Sequence, residues 1–276
     1  MTVINTNINA IRAANASNSA TMMQGMSMQR LSTGKRINSA KDDAAGLAIS
    51  TSMTAQVMGM GQGVRNANDG ISLAQTGEGA INEVINMLQR VRELAVQSAS
   101  GTYQAQDRTN MQQEVTSLTT QVGSVLTNTK FNGNALFSTT AGSDLTVSIQ
   151  AGANSTDVIA LTSKAIDGTN ISATALDVTT VAKATTTLAN VDLALKDAEA
   201  TAAGLGAGES QLQSAVNNLT SNQTNLTDAR SRIMDTDYSA ESTAMAKAQI
   251  LSQASTAMIQ QANQSAQGVL SLLRGG

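Results

Sequence analysis

The chain has 276 residues, a formal net charge of -3 and only 13% charged residues. It contains no Cys and no His, which excludes thiolate and imidazole metal sites, cysteine nucleophiles, histidine bases and disulfides. Pro and Trp are also absent, and aromatic residues make up 1% of the chain. This composition favours long uninterrupted helices and argues against a nucleic-acid partner, because it lacks helix breakers, basic patches and stacking side chains.

The sequence gives no sign of a membrane segment. No stretch approaches the roughly 18 consecutive apolar residues of a membrane span. The start of the chain, from Met1 to Ala14, lacks a basic segment followed by an apolar one. We therefore expect neither a membrane anchor nor a cleavable signal.

A heptad pattern of apolar residues dominates the first half of the chain. Every seventh residue from Met53 to Ala95 is apolar, which is typical of a helix that packs along one seam. The pattern predicts one helix from Ala44 to Ser98, which is about 80 Å long at the usual rise per residue. Similar spacing predicts a second helix from Ala105 to Asn128.

The middle of the chain has a different pattern. Asn132-Gly133 predicts a tight turn. Apolar and polar residues then alternate from Leu145 to Gln150, and another short β-like run extends from Val158 to Leu161. Residues 131–180 are therefore predicted to form a small β-rich tip.

Helical spacing returns near Thr180. Apolar residues recur at every seventh position from Val191 to Ile233. Three glycines within 204–208 are expected to bend or interrupt this helix. After it, the carboxylates of Asp235 and Asp237 are predicted to cap a new helix.

Both ends of the chain form amphipathic patterns with apolar stripes that need partners. We predict that these stripes face one another, within one subunit or between subunits, and so drive polymerisation. The predicted polymerisation core comprises Ile4, Ile8, Ile11, Leu251, Met258, Val269 and Leu272.

These patterns together predict a mainly α fold, an elongated antiparallel helical rod or coiled coil with paired terminal helices and a small β-rich tip. Residues 1–43 are predicted to form an N-terminal helix and a connector at the assembling end of the chain, and residues 236–276 a C-terminal helix at the same end. Residues 44–130 and 181–235 are predicted to form the two parts of a helical rod domain, and residues 131–180 the tip.

Several motifs resemble those of bacterial flagellins. They are QRLSTGKRINSAKDDAAG at 29–46, LQRVRELAVQ at 88–97, FNG at 131–133, ARSRI at 229–233, ANQ at 262–264 and VLSLLR at 269–274. The resemblance covers roughly residues 1–137 and 185–276. The middle of the chain holds about 50 residues where larger members carry whole outer domains, so the chain resembles a short type with a reduced central region.

The resemblance implies a structural subunit that polymerises into the flagellar filament for swimming motility. It implies export through the flagellum's own secretion channel, and thus a secreted, extracellular location. The implied partners are copies of the same chain, the export apparatus, an export chaperone that covers the C-terminal helix, and cap and hook-associated proteins. No catalysis, cofactor, metal, nucleic acid or membrane is expected.

In some flagellins the rod motif is recognised by an animal innate immune receptor of the Toll-like type. We expect Arg90 and Glu114 to offer charged hydrogen-bonding groups around Leu94 for such a contact. The positions that match the motif are Gln89, Arg90, Leu94, Gln97 and Glu114.

Two alternatives remain open at this point. A junction protein between hook and filament would join the structure without forming a long polymer. A secreted flagellin-like surface adhesin would use the tip, although Phe131 and Phe137 are its only aromatic residues. An enzyme is less favoured, because the carboxylates of a helical rod offer no identifiable pair in a cleft.

Overall fold

The computed structural model describes the backbone of residues 6–274 and the side chains of residues 6–268. The helices of this part of the chain are α1 (Ile8–Thr33), α2 (Ala44–Ala99), α3 (Ala105–Asn128), α4 (Val181–Met234) and α5 (Tyr238–Arg274). The strands are β1 (Lys130–Phe131), β2 (Asn134–Ala135), β3 (Leu145–Gln150) and β4 (Val158–Ser163). None of the helices described is both long and apolar enough to cross a membrane. The predicted mainly α fold is confirmed.

The chain divides into two compact units. The first unit combines the residues up to Thr54 with those from Asn225 onwards. The second unit is Ala55–Thr224. Each unit is described by itself below.

The core of the second unit is built on the predicted heptads. In α2 the buried heptad positions are Ala67, Ala74, Ile81, Leu88 and Ala95. In α4 they are Val191, Ala198, Leu205, Leu212 and Leu219. The predicted bounds of α2 and α3 agree with the structure to within one residue, because a repeat sustained over many turns leaves little choice of period.

β3 and β4 lie where the β-like runs predicted strands, and the predicted turn at Asn132-Gly133 joins β1 to β2, which were not predicted as strands. β1 and β2 form a hairpin whose turn residues, Asn132 and Gly133, both have positive φ. β3 and β4 pair antiparallel from Leu145 opposite Ser163 to Gln150 opposite Val158. Beyond Ser163 the tip has no regular strand, and its buried side chains Ile166, Leu176 and Val178 fill the core from turns instead.

The glycine cluster at 204–208 does not interrupt α4, which runs unbroken from Val181 to Met234. A Cβ at Gly204 would lie 2.8 Å from the Thr162 carbonyl oxygen, and one at Gly208 would overlap Leu161. The two glycines therefore let β4 approach the helix closely. The expectation of an interruption was wrong, because tertiary contact compensates the low helix propensity of glycine.

In the first unit, the connector after α1 is hydrogen-bonded to the connector before α5. Lys35 forms an isolated antiparallel bridge with Asp235. The Arg36 N–H donates to the Met234 carbonyl at 2.6 Å, and the Thr236 N–H donates to the Gly34 carbonyl at 3.0 Å. The Arg36 guanidinium also donates to the Ile233 carbonyl, which is 197 residues away in sequence. These hydrogen bonds therefore join segments that are distant along the chain.

Carboxylates cap the helices that follow both connectors. Asp237 Oδ1 accepts hydrogen bonds from the N–H groups of Ser239 and Ala240 at the start of α5, which confirms the cap predicted at Asp237. The prediction of a cap at Asp235 was wrong, because Asp235 Oδ2 accepts from the Ser231 hydroxyl at 2.6 Å instead. Asp43 Oδ1 accepts one from the Gly46 N–H at 2.8 Å, in the first turn of α2. The three bonds to Asp237 and Asp43 satisfy amide donors that have no partner within their helix.

Candidate assembly surface and rod motif

The two terminal helices pack against each other in antiparallel orientation within the first unit. Near the start of α1, the Asn7 side-chain amide donates to the Ala262 carbonyl at 3.0 Å. Near the end of α1, Arg30 forms a 3.6 Å ion pair with Glu241 in the first turn of α5. The predicted pairing of the terminal helices is therefore present within one chain.

The seam between α1 and α5 is closed by small side chains. Ala20 and Ser27 of α1 are buried there, seven residues apart, and so are Ala248 and Ser255 of α5. Small residues let two helix backbones approach closely, and a spacing of seven keeps them on one side of each helix. Large side chains would hold the helices farther apart.

The predicted polymerisation residues that the structure describes are exposed and are not buried in this seam. Ile8, Ile11, Leu251 and Met258 are 40–61% exposed, so they form no buried cluster within the chain. At 100° per residue, Ile11 lies about 180° around α1 from Ala20, on the side that faces away from α5. Ile4 and the side chains of Val269 and Leu272 fall outside the part of the chain that the structure describes.

The rod motif, residues 88–97, presents charged groups on the surface of the second unit. Arg90 Nε donates to Glu114 Oε1 at 2.8 Å, and Arg90 Nη1 donates to Glu93 Oε2 at 2.9 Å. The hydrogen bonds that Arg90 donates to Glu114 and, second, to Glu93 raise the pKa of Arg90 above its ordinary value. All three side chains are exposed, so the predicted neighbours Arg90 and Glu114 do lie together on one accessible face.

Leu94 departs from the prediction for this motif. Its side chain is 2% exposed and belongs to the hydrophobic core of the second unit. Leu94 follows Leu88 and Val91 along the same buried side of α2, which accounts for its inward position. The predicted contact between Leu94 and a receptor is therefore corrected: Leu94 packs in the core of the second unit.

The two glutamines of the motif are accessible. Gln89 and Gln97 are both exposed on α2. Gln97 Nε2 donates to the Tyr103 hydroxyl at 3.1 Å. The exposed face of the motif thus combines amides, a guanidinium and carboxylates around a buried leucine.

Sequence reasoning missed two features of these regions. One is the α1 side of the seam, whose signal was the spacing of Ala20 and Ser27 rather than the larger isoleucines. The other is Arg108, which is 9% exposed and donates to the carbonyls of Ser98, Ser100 and Tyr103 at 2.6–2.9 Å. Nothing in the sequence marked Arg108, because its partners are backbone groups that every residue carries.

The described residues contain no group of three or more Asp and Glu side chains placed to hold a metal ion. Several acidic residues instead pair with cations, and others accept hydrogen bonds from nearby amides, as Asp42 does from the N–H groups of Asn38 and Ser39. These backbone hydrogen bonds lower the pKa of Asp42. Its carboxylate is thus a structural acceptor in the connector after α1.

Comparison with known protein families gives two matches along the chain. Residues 4–142 match the bacterial flagellin N-terminal helical region, and residues 188–273 match the bacterial flagellin C-terminal helical region. Together they leave out little more than the β-rich part of the tip and the start of α4.

Whole-length relatives agree with these matches. The chain is 41% identical over 276 residues to a flagellin of Halalkalibacterium halodurans, with 99% of this chain and 100% of the relative covered. It is 40% identical over 302 residues to a flagellin of Bacillus subtilis, with 98% and 99% covered. Both relatives are flagellins over their full length, which favours a filament subunit over a junction protein or an adhesin.

Among solved structures, one assigned to a flagellar hook-associated protein of Vibrio parahaemolyticus has a similar fold. It matches with a TM-score of 0.59 and 15% identity, covering 70% of this chain and 100% of that one. This likeness concerns the fold alone. The family matches and the full-length relatives carry the assignment: the chain belongs to the bacterial flagellin family and is a structural subunit that polymerises into the extracellular flagellar filament.

Proposed function

We propose that subunits of the filament are joined through the exposed apolar residues of α1 and α5. The observation that carries this proposal is the exposure of Ile8, Ile11, Leu251 and Met258 beside a seam that is already closed by small residues. Covering such side chains with a neighbouring copy removes apolar surface from water, which stabilises by about 25 cal/mol per Å². Ile4, Val269 and Leu272 are expected to extend the same surface.

Charge substitution on each helix tests this surface. Ile11→Lys and Leu251→Lys place an ammonium where a neighbouring subunit is expected to bury an apolar side chain. Each variant is expected to stay helical as a monomer, because its side chain is exposed, yet to lose seeded assembly. The measurement is sedimentation and electron microscopy of purified protein with filament seeds, with far-UV circular dichroism to follow helix content.

Leu193→Lys is the matched control. Leu193 of α4 is 51% exposed, against 52% for Ile11, and it lies in the second unit. We expect this variant to assemble normally. Normal filaments from Ile11→Lys, or an equal loss from Leu193→Lys, would contradict the assignment of the assembly surface to the terminal helices.

The domain organisation predicted from the sequence is part of the same proposal. Residues 1–43 and 236–276 form the filament core, residues 44–130 and 181–235 the rod domain, and residues 131–180 the tip. The packing of α1 on α5 supports a common terminal domain. A chain that lacks residues 240–276 is expected to remain helical in the rod and to form no filaments, which sedimentation and circular dichroism measure together.

Export partners are proposed on the strength of family membership and of the exposed face of α5. Ile250, Leu251 and Met258 are large apolar side chains on that helix that face water in the isolated chain. We assign to them a contact with an export chaperone, before delivery to the export apparatus and to the cap and hook-associated proteins. Calorimetric titration with the family's chaperone is expected to show binding by the full chain and none by the chain that lacks residues 240–276.

The rod motif is assigned to recognition by an animal flagellin-sensing Toll-like receptor. Support comes from the exposed Arg90 and Glu114, which lie 2.8 Å apart and retain unused hydrogen-bonding capacity toward a partner. Gln89 and Gln97 flank them on α2. Leu94 packs in the hydrophobic core beneath this surface.

Receptor signalling in reporter cells tests the motif. Arg90→Ala combined with Glu114→Ala is expected to reduce signalling by monomer and to leave the fold intact, since both side chains are exposed. Arg92→Ala is the matched control. Arg92 lies on α2 like Arg90 and forms a similarly exposed ion pair at 2.7 Å, with Asp192 of α4, but it is not one of the predicted contact residues. Equal signalling by the wild type and the double variant would refute the receptor contact.

A further inference from the structure

Four methionines lie close together on α1. Met22, Met23, Met26 and Met28 fall within seven residues and are 42–64% exposed. We call these four residues the methionine patch. The helix also buries Ala20 and Ser27 in its seam with α5, so the patch occupies surface that this contact leaves open.

The patch continues the exposed apolar stripe of α1. Met22 follows Ile11 by three helical turns, and Met26 follows Met22 by one turn. Met23 lies beside them, whereas Met28 lies about 120° around the helix from Met22. Three of the four patch residues, Met22, Met23 and Met26, therefore extend the surface that is proposed above to bind a neighbouring subunit.

We propose that the methionine patch is an oxidation site that controls assembly: hydroperoxides convert its thioethers to sulfoxides, and the sulfoxide form does not enter the filament. The proposal rests on the assembly surface described under the proposed function. It adds a covalent modification that no feature of the family match assigns.

The chemistry is a two-electron oxygen transfer. A lone pair of the methionine sulfur attacks one oxygen of the hydroperoxide, an S–O bond forms and the O–O bond breaks. The sulfur is oxidised, and the departing hydroxide or alkoxide takes up a proton and leaves as water or an alcohol. The product is a polar sulfoxide in place of a flexible apolar side chain.

Accessibility exposes the patch to peroxide and protects the methionine of the core. Met111 is buried in the core of the second unit, where it is shielded from dissolved peroxide. The methionines of the patch are open in the isolated chain and are expected to be covered after assembly. A sulfoxide that loses water without gaining a hydrogen-bond donor opposes that burial, whereas the monomer tolerates it in solvent.

The experiment compares seeded assembly of full-length monomer before and after treatment with hydrogen peroxide. Peptide mass spectrometry locates the added oxygen, and circular dichroism verifies that the oxidised monomer remains helical. We expect oxidation to lower the assembled fraction about tenfold or more, since several desolvated sulfoxides accumulate in each subunit. An oxidised wild type that assembles as well as untreated protein overturns the inference.

A variant in which all four patch methionines are replaced by leucine tests the location. Leucine conserves volume and resists peroxide, so this variant is expected to assemble equally well with and without treatment. Met58→Leu is the matched control, because Met58 is 67% exposed but lies in the second unit. Because the exposed Met258 belongs to the same assembly surface, Met258→Leu is included in every protein of this comparison, and in that background a peroxide-sensitive quadruple variant, or a resistant Met58→Leu, overturns the assignment to the patch.

Repair provides a second measurement that needs no variant. Methionine sulfoxide reductases of both stereospecificities are expected to restore assembly of oxidised wild type, and persistent failure after complete reduction overturns the proposal.

The experiments distinguish a wrong assignment of the assembly surface from a wrong assignment of the oxidation site. Normal filaments from Ile11→Lys contradict that surface, whereas loss of assembly by Ile11→Lys together with normal assembly of oxidised wild type contradicts the oxidation site alone.

Discussion

Gly204 of α4 lies against the carbonyl of Thr162 in β4, so closely that a Cβ at residue 204 would be 2.8 Å from that oxygen. The contact is with backbone, and Thr162 is held in register opposite Thr146 of β3. Relief of an overlap at this point thus requires movement of a paired strand. The absence of a side chain at residue 204 is what allows the β-hairpin to dock on the helix.

Alanine substitutions at neighbouring glycines separate helix propensity from packing. In Gly204→Ala, the higher helix propensity of alanine stabilises the fold by about 1 kcal/mol, whereas overpacking destabilises it by roughly 1–3 kcal/mol. We therefore expect the free energy of unfolding to fall by about 1 kcal/mol. Gly206→Ala meets no described atom within 4 Å and is expected to gain about 1 kcal/mol. Urea unfolding of both variants measures the difference, and equal effects of the two would contradict the packing role of Gly204.

Ser163 is a buried residue whose hydroxyl has no hydrogen-bond partner among the described residues. It lines a cavity of about 10 Å³ whose other walls include Leu73, Leu136 and Leu205. Ser163→Ala removes an unsatisfied polar group, so we expect it to be neutral or to stabilise the fold by up to about 1 kcal/mol.

Ser98→Ala is the paired comparison for this prediction. The Ser98 hydroxyl is also buried but donates to the Val178 carbonyl, which would lose its donor in the variant. We expect a loss of about 1–2 kcal/mol. Thermal unfolding distinguishes the two serines, and a larger loss at Ser163 than at Ser98 would show that the Ser163 hydroxyl is satisfied after all.

Arg108 joins the end of α2 to the start of α3. Its guanidinium donates to the carbonyls of Ser98, Ser100 and Tyr103. Arg108→Ala is expected to destabilise the second unit by about 2–4 kcal/mol, because charged hydrogen bonds are lost and carbonyls are left without donors. Arg92→Ala, which breaks an exposed ion pair, is expected to shift the unfolding midpoint much less. Similar shifts for the two arginines would argue against the role of Arg108.

Asp177 makes the stability of the second unit depend on acid pH. Partial burial by itself raises the pKa of Asp177, but hydrogen bonds from Lys183 and Thr179 outweigh it, so the pKa lies below its ordinary value of 3.8. A lowered folded-state pKa contributes stability above the ordinary value, and this contribution is lost as the pH falls through the lowered value.

The variant Asp177→Asn tests this dependence. Its free energy of unfolding is expected to change less than that of the wild type between about pH 5 and pH 2, since one linked carboxyl group is gone. Thr179→Val, which removes one of the hydrogen bonds to Asp177, is expected to show an intermediate dependence. Denaturant titrations at a series of pH values give the slopes, and a slope for Asp177→Asn equal to that of the wild type contradicts the linkage.

Periodicity was sufficient to predict the rod helices. The heptads through Ile81 in α2 and Val191 in α4 predicted both the helices and their buried sides, because a repeat sustained over many turns places the same side of the helix inward throughout. Alternation likewise predicted β3 and β4. The expectation that the glycines at 204–208 interrupt the helix was wrong, because they allow close contact with a strand about 40 residues earlier in the chain.

The terminal motifs were sufficient to indicate the flagellin family, but not which side of each terminal helix packs within the chain. α1 carries two stripes with helical spacing, one of isoleucines and one of small residues, and spacing alone treats them as equivalent. The tertiary structure selects the small residues Ala20 and Ser27 for the seam with α5. The physical reason is that small side chains permit the closest approach of two helices.

The long helices, the turn at Asn132-Gly133, the strands β3 and β4 and the flagellin family could all be predicted from the sequence, because they depend on local period, turn chemistry and long motifs. The burial of Leu94, the hydrogen bonds of Arg108 at a helix junction and the exposure of Ile11 became known only from the packed structure. Each of these features depends on tertiary contacts between residues that are distant in sequence. Neither the spacing nor the type of the residues specifies those contacts.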